Sequence, residues 1–157
     1  MPRTEFRFAW RRRIRYAEVD AQGVVYFARH LALADEGVVE YWRAAGIYAD
    51  QPVAGGAVEF HVVHAGIDYL APLRLDEEID ILIGTRSVGR SSLDMAVELH
   101  GADREDPRAR LRLVQVYVDR PGGSAAPVPP WILGLLERFE GRTLAKERQD
   151  PCAISTR

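Results

Sequence analysis

The 157-residue chain predicts an α+β fold: a curved antiparallel sheet of about five strands wrapped around one long helix, with a short C-terminal helix. Three observations predict it. One early stretch has helical spacing and is apolar over most of its circumference, stretches of period-2 alternation stand on both sides of it, and short turns join the later strands. A helix that is apolar nearly all round must be covered, and a curved sheet with short connections covers it.

From Phe6 to Tyr16 the even positions are Phe6, Phe8, Trp10, Arg12, Ile14 and Tyr16, and the odd ones are Arg7, Ala9, Arg11, Arg13 and Arg15. This is a strand with one wet face, broken only at Arg12. Its arginines read as solvated surface or as cross-strand ion pairs. After Gly23 the period changes: Leu31, Ala34, Val38, Tyr41/Trp42 and Ala45 predict a helix over about 29–45, with Gly46 as its left-handed cap. Ala32, Leu33 and Val39 widen the apolar stripe. Gly37 inside the helix costs about 1 kcal/mol against alanine, which predicts a close backbone contact there.

Residues 48–57 read as loop around Pro52 and Gly55-Gly56, and strands follow at about 58–70, 77–87, 91–101 and 108–119. Ile79, Ile81 and Ile83 share one face, as do Leu93, Met95, Val97 and Leu99, with a hairpin turn at Gly89-Arg90-Ser91. A shift of apolar phase from Leu113 to Val114 predicts a β-bulge in the last strand. The charged tip from Gly101 to Pro107 reads as mobile. A break at Arg120-Pro121-Gly122-Gly123 precedes Pro129-Pro130, which suit a helix start, and Trp131, Ile132, Leu135, Leu136 and Phe139 mark a short amphipathic helix. Residues 1–140 then form one domain, and 141–157 a polar tail expected to be frayed or disordered.

A formal net charge of −2 and a pI near 6.1 supply no global pull toward nucleic acid, which is not an expected partner. The single cysteine, Cys152, allows no internal disulfide and no thiolate metal cage, which fits a cytoplasmic setting. No apolar run reaches the roughly 18 residues of a membrane span, so no membrane partner is expected.

Asp20 is the leading candidate for chemistry. As a structural residue it would be a turn aspartate; it stands too far ahead of the helix for a simple cap. Gly23 in the same segment lets a ligand approach the backbone, and helix N-terminal amides carry partial positive charge. The four histidines, His30, His61, His64 and His100, have no metal-ligand spacing and read as core or surface residues. Glu59 reads as a solvated strand end, and Glu36 and Glu40 as helix partners of Arg43 or Arg29. The glycine-rich phosphate loops and Gly-x-Ser-x-Gly are absent from the sequence.

The run Asp20-Ala21-Gln22-Gly23-Val24-Val25-Tyr26, preceded by Arg15-Tyr16 and followed by Glu40-Tyr41-Trp42-Arg43-Ala44-Ala45-Gly46, resembles the signature of the 4-hydroxybenzoyl-CoA thioesterase family of hotdog-fold proteins. Asp68-Tyr69-Leu70-Ala71-Pro72-Leu73, with Asp76 and Glu78, is similar to that family's strand and turn after the helix, so the resemblance covers about residues 6–119. It implies a hotdog-fold acyl-CoA thioesterase with no cofactor and no metal. Asp20 would attack the thioester carbon or activate water, in a segment that includes Gly23, and the amides at Tyr26 and Phe27 would polarise the carbonyl. Arg90 and Ser91, with Arg86 as a weaker helper, would meet the CoA phosphates. It further implies a homodimer joined edge to edge with a site at the interface, commonly paired again into a homotetramer.

The chemistry is feasible from first principles, since a thioester needs a nucleophile or base and an oxyanion donor, and a helix N-terminus supplies the donor. Two departures stand out. Phe27 occupies a position where many members of that family have histidine or tyrosine, and His30 one where tyrosine is frequent. The Tyr-Phe-Ala run also looks like the dihydroxynaphthoyl-CoA branch, but Leu-Ala-Leu-Ala-Asp does not continue that match. Rival readings are a hotdog dehydratase of hydroxyacyl thioesters, which would want a histidine and a carboxylate over the acyl chain, and a non-catalytic acyl-CoA or aromatic-ligand binding module.

Overall fold

The computed structural model describes residues 3–49, 58–119 and 123–146. In chain order the elements are β1 (Phe8–Arg13), α1 (Arg29–Ala44), β2 (Phe60–Tyr69), β3 (Glu78–Val88), β4 (Ser92–Gly101), β5 (Pro107–Asp119), β6 (Ser124–Ala125) and α2 (Pro130–Glu140). The sheet is antiparallel in the order β1-β3-β4-β5-β2, with the two-residue β6 paired to the end of β5. This is the curled sheet about one long helix expected of a hotdog fold. The loop around Pro52 and Gly55, the residues 120–122, Cys152 and the chain beyond Lys146 lie outside the described residues.

Alternation puts Ile79, Ile81 and Ile83 of β3, and Leu93, Met95, Val97 and Leu99 of β4, into one buried cluster with Leu33, Ala34, Val38, Tyr41 and Trp42 of α1. Each such side chain contributes about 1.5–3 kcal/mol by leaving water. A Cβ on Gly37 would lie 2.7 Å from Ile81 Cγ2 and 2.9 Å from Ile83 Cδ1, so α1 approaches β3 as closely as its backbone allows. Tyr41 meets Phe8 and Phe139 edge-on at 5.7 and 5.4 Å, and Trp42 stacks on Phe60 at 5.4 Å. Helix α2 begins with Pro130 in its first turn and ends at Gly141 in the left-handed conformation. From its last turn the buried Glu140 accepts hydrogen bonds from the Tyr41 hydroxyl at 2.6 Å and the Thr85 amide at 2.8 Å.

Several expectations change. Strand β1 stops at Arg13 and is followed by a single 3-10 turn over Tyr16–Glu18. The exceptional Arg12 lies over the Trp10 ring and pairs with Glu18 and, at 2.6 Å, with Glu36, so Glu36 is not a partner of Arg29 or Arg43. Glu40 does pair with Arg43. On the outer face Arg11 binds Asp80 at 2.9 Å and Arg13 binds Glu78 at 2.6 Å across strands. The bulge expected at Leu113/Val114 is absent. Strand β5 keeps its register there, with Gln115 buried on the core side; its own shift comes earlier, where Leu99 faces Ala109 and His100 faces Pro107, and the others fall in β2 between Val62 and His64 and in β3 between Thr85 and Ser87. Val114 and Val116 misled because both faces of β5 are partly covered at that end. The tip at 101–106 is pinned, since the Ala102 amide donates to Glu78 O and the Asp103 amide to Asp80 Oδ2. The first residues of the expected tail are packed too: Leu144 is buried, and Ala145 bridges Val88 in parallel.

Candidate active site

The segment between β1 and α1 is built to hold one carboxylate. Glu18 caps the 3-10 turn by accepting from the Arg15 amide at 2.7 Å, while its other oxygen holds Arg12. Val19 bridges Val25, and the Asp20 amide donates to Val24 O at 2.9 Å while the Gly23 amide donates to Asp20 O at 3.0 Å. That tight turn needs a positive φ at its third step, and Gly23 supplies it at +74° with open space beside its Cα. Asp20 is half-buried, and its Oδ1 accepts from the Gln22 amide at 2.8 Å. The other carboxylate oxygen has no hydrogen-bond partner among the described residues. Val24 bridges Arg74 and the Val25 amide donates to Leu73 O at 2.8 Å, which fastens the turn to the segment before β3.

The start of α1 differs from expectation in one donor. The Tyr26 amide, expected to face the substrate, donates to Glu18 O at 3.0 Å. Within α1 the first carbonyls are taken by Arg29 N, to Tyr26 O, and His30 N, to Phe27 O. The amides of Phe27 and Ala28, like that of Leu31, donate to nothing among the described residues, as the first N–H groups of a helix do. They sit at its positive end. The Tyr26 and Phe27 rings are exposed and touch each other at 4.6 Å.

Beside this turn lies a hollow of about 280 Å3 lined by Val24, Val25, Phe27, His30, Tyr69 and residues 70–72. It is mostly apolar, and His30 is its buried polar side chain, 4% exposed. The ring Nδ1 faces Phe27 O at 3.2 Å and the ring edge meets Tyr69 at 5.1 Å, while the Tyr69 hydroxyl donates to the same Phe27 O at 3.0 Å. Burial pushes the His30 imidazole below the ordinary histidine range, against a smaller opposing pull from the Tyr26 and Phe27 carbonyls. In the sequence His30 lacks metal-ligand spacing and reads as a core or surface histidine; the signal for its place in the hollow is a histidine in the first turn of the helix that follows the Asp20 turn.

Arg86, Arg90 and Ser91 are not brought to Asp20 within one chain. The Asp20 turn abuts Arg74, just before β3 begins, and Arg90 and Ser91 lie at the hairpin where β3 ends, about 30 Å away for eleven residues of strand. There Arg90 and Lys146 border a second hollow of about 380 Å3 with Val88, Val128 and Leu133. Arg86 is exposed in the β3 bulge, on the side of Asp94, whose carboxylate is held by Arg112. Of the other histidines, His61 pairs with Glu59 and the buried His100 with Glu98, and neither lines the hollow beside Asp20. Among the described residues no group of three His, Cys, Asp or Glu side chains is placed to hold a metal ion, and no helix is long and apolar enough to cross a membrane.

The sequence profile of the Thioesterase-like superfamily matches residues 14–136, which spans the Asp20 turn, the helix and the whole of the sheet after it. The chain belongs to that superfamily. Among relatives, a 1,4-dihydroxy-2-naphthoyl-CoA hydrolase from Nostoc punctiforme is 28% identical over 130 residues, covering 83% of this chain and 86% of that protein. The acyl-CoA thioester hydrolase YbgC of Escherichia coli is 33% identical over 86 residues, 55% of this chain and 63% of that protein. Among solved structures, a thioesterase from Thermus thermophilus complexed with coenzyme A and Zn superposes with a TM-score of 0.74 at 27% identity, covering 88% of this chain and 98% of that one. A Pseudomonas aeruginosa protein gives 0.79 at 23%, covering 92% and 98%, which speaks for the fold. The superfamily's hotdog fold is therefore the fold of this chain.

Proposed function

We propose that this member of the Thioesterase-like superfamily is an acyl-CoA thioesterase that cleaves a CoA thioester to the free acid and CoA, with Asp20 as the reacting carboxylate. The observation that supports the proposal is the turn that holds Asp20, one oxygen tied to Gln22 and the other without a partner among the described residues, a few residues ahead of the uncommitted amides of Phe27 and Ala28 at the start of α1. In the direct route an Asp20 oxygen attacks the thioester carbon, the C–S bond breaks, CoA leaves as thiolate, and water then hydrolyses the mixed anhydride. In the base-assisted route Asp20 takes a proton from water as the water oxygen attacks. Both routes put negative charge on the carbonyl oxygen, which helix-start amides stabilise, and one such donor is typically worth about 10²–10³ in rate. The relatives' names, naphthoyl-CoA hydrolase and acyl-CoA thioester hydrolase, support this reading.

The acyl group we assign is aromatic, as in the family named from the sequence motif, because the hollow is flat-walled by Phe27 and Tyr69. The working unit is a dimer. Among the described residues strand β2 is an unpaired edge with Val62 and Val63 exposed, at 50% and 61%, and such an edge seeks a second strand. Antiparallel pairing of two β2 strands would set the Phe60 end of one copy beside the Tyr69 end of the other. That carries the Arg90 hairpin of the second copy toward this copy's Asp20, which answers the separation seen within one chain. The test is a panel of aromatic and aliphatic acyl-CoA substrates read by released thiol. Aromatic turnover above aliphatic supports the reading, and saturable CoA binding with no turnover of any substrate contradicts it.

A further inference from the structure

Arg12 stands on the face of β1 that turns toward the helix, between Trp10 and Ile14, where the alternation asks for an apolar side chain. A guanidinium so placed must be paired. Only 10% of its side chain is exposed: Nη2 donates to Glu18 Oε1, Nη1 donates to Glu36 Oε2 at 2.6 Å, and Cζ lies 6.0 Å from the centroid of the Trp10 ring. Glu18, 13% exposed at its side chain, is held at three atoms. Its Oε1 accepts from Arg12, its Oε2 from the Arg15 amide at 2.7 Å, and its main-chain carbonyl from the Tyr26 amide at 3.0 Å. Glu18 and Tyr26 are the two ends of the loop that carries Asp20, and the amides of Phe27 and Ala28 follow directly, while Glu36 stands on α1 itself. One cation on the sheet thus fastens both the base of the loop that bears the carboxylate and the helix that bears the amides.

We propose that Arg12 and Glu18 are a positioning pair for thioester cleavage: the guanidinium on β1 holds the Glu18 end of the loop against α1, so that Asp20 and the Phe27 and Ala28 amides keep one separation. The inference rests on the thioesterase reading above and adds to it the residues that hold its geometry. Attack and charge stabilisation take place at the two atoms of one carbonyl, and a displacement of about 1 Å caused by a change remote from the chemistry costs about 10²-fold in rate. The transition state depends on that separation more than the bound substrate does, so a loosened pair lowers kcat and leaves KM. A lysine at residue 12 would keep the charge but not the fork that spans two carboxylates. Neither side chain touches the substrate; both act through the main chain of Glu18.

The experiment compares the wild type with Arg12→Met, Arg12→Lys, Glu18→Gln and the double variant, and uses Arg13→Met, which removes an ion pair from the outer face of the same strand, as control. On the best acyl-CoA of the panel, Arg12→Met should lose about 10²-fold in kcat with KM within about threefold, and Arg12→Lys should recover part of that loss. Glu18→Gln should lose about tenfold or more, because its one acceptor oxygen serves two donors. The double variant should be no slower than Arg12→Met, since members of one pair are not independent, and Arg13→Met should keep the wild-type kcat. Hydrogen exchange gives a readout apart from turnover: the Asp20 and Tyr26 amides should exchange about tenfold or more faster in Arg12→Met and Glu18→Gln, with the central amides of β3 unchanged. A kcat within about threefold of wild type in Arg12→Met, losses that add in the double variant, or unchanged exchange at Asp20 and Tyr26 overturns the inference and leaves the thioesterase reading standing. A wild type that cleaves no acyl-CoA overturns both. Should Arg12→Met not fold, Glu18→Gln carries the same test through its kcat, its KM and the two amides.

Discussion

The Tyr26 amide donates to the Glu18 carbonyl at 3.0 Å, and this one bond decides which donors at the start of α1 remain for a substrate. It closes the loop over the Asp20 turn and leaves the Phe27 and Ala28 amides among the free ones at the helix start. The oxyanion site we propose is therefore made of main chain. Phe27→Ala should keep hydrolysis within about tenfold of wild type, whereas Phe27→Pro, which deletes an N–H, should lower kcat by about 10²–10³. Single-turnover rates with circular dichroism as a folding control check the pair.

Gly23 holds φ at +74° in the turn of Asp20. A side chain there meets no neighbour, so the cost of Gly23→Ala is conformational, about 1–2 kcal/mol. Because the strain is local to the turn, kcat should fall with it. Gly23→Asn, which tolerates the left-handed region, should retain more of both, as read by urea midpoint and turnover.

Gly37→Ala tests the approach of α1 to β3. Its Cβ would overlap Ile81 Cγ2 and Ile83 Cδ1, and overpacking of this kind costs about 1–3 kcal/mol. Adding Ile83→Val, which removes one of the two clashing atoms, should recover part of the loss in a double-mutant cycle.

Asp80 predicts a pH dependence of stability. Burial alone would raise its pKa, but hydrogen bonds from Arg11, the Asp103 amide and Arg3 override this and hold it at about 2. The folded pKa lies below the unfolded one, so the carboxylate stabilises the fold above about pH 4 and that contribution is lost as pH falls toward 2. Asp80→Asn should lower the unfolding free energy at pH 7 by about 1–3 kcal/mol. Its stability should also change less between pH 4 and 2 than that of the wild type.

Much of the fold was legible because alternation and helical spacing survive wherever one face is buried: Ile79 to Ile83, Leu93 to Leu99 and, on α1, Leu33, Ala34, Val38, Tyr41 and Trp42 are buried as expected, whereas Leu31 and Ala32, read into the same stripe, are exposed. The close contact at Gly37 was legible for the same reason. What was hidden depends on partners distant in sequence. Arg12 broke the β1 pattern because Glu18 and Glu36 meet it on the helix side of the sheet, and Leu144 packs although its segment is polar. The fate of the Tyr26 amide is set by the carbonyl of Glu18, and a carbonyl leaves no trace in a sequence. His30 was visible as a letter but not as the polar point of an apolar hollow, which needs β2 and the segment after it in place.

The central proposal, that Asp20 does the chemistry, is tested most directly by Asp20→Asn, which keeps the side-chain shape and an acceptor for the Gln22 amide. Thiol release from the best acyl-CoA of the panel should fall by about 10³ or more, as loss of a nucleophile or base requires, with an unchanged melting profile. Turnover within about tenfold of wild type would contradict it.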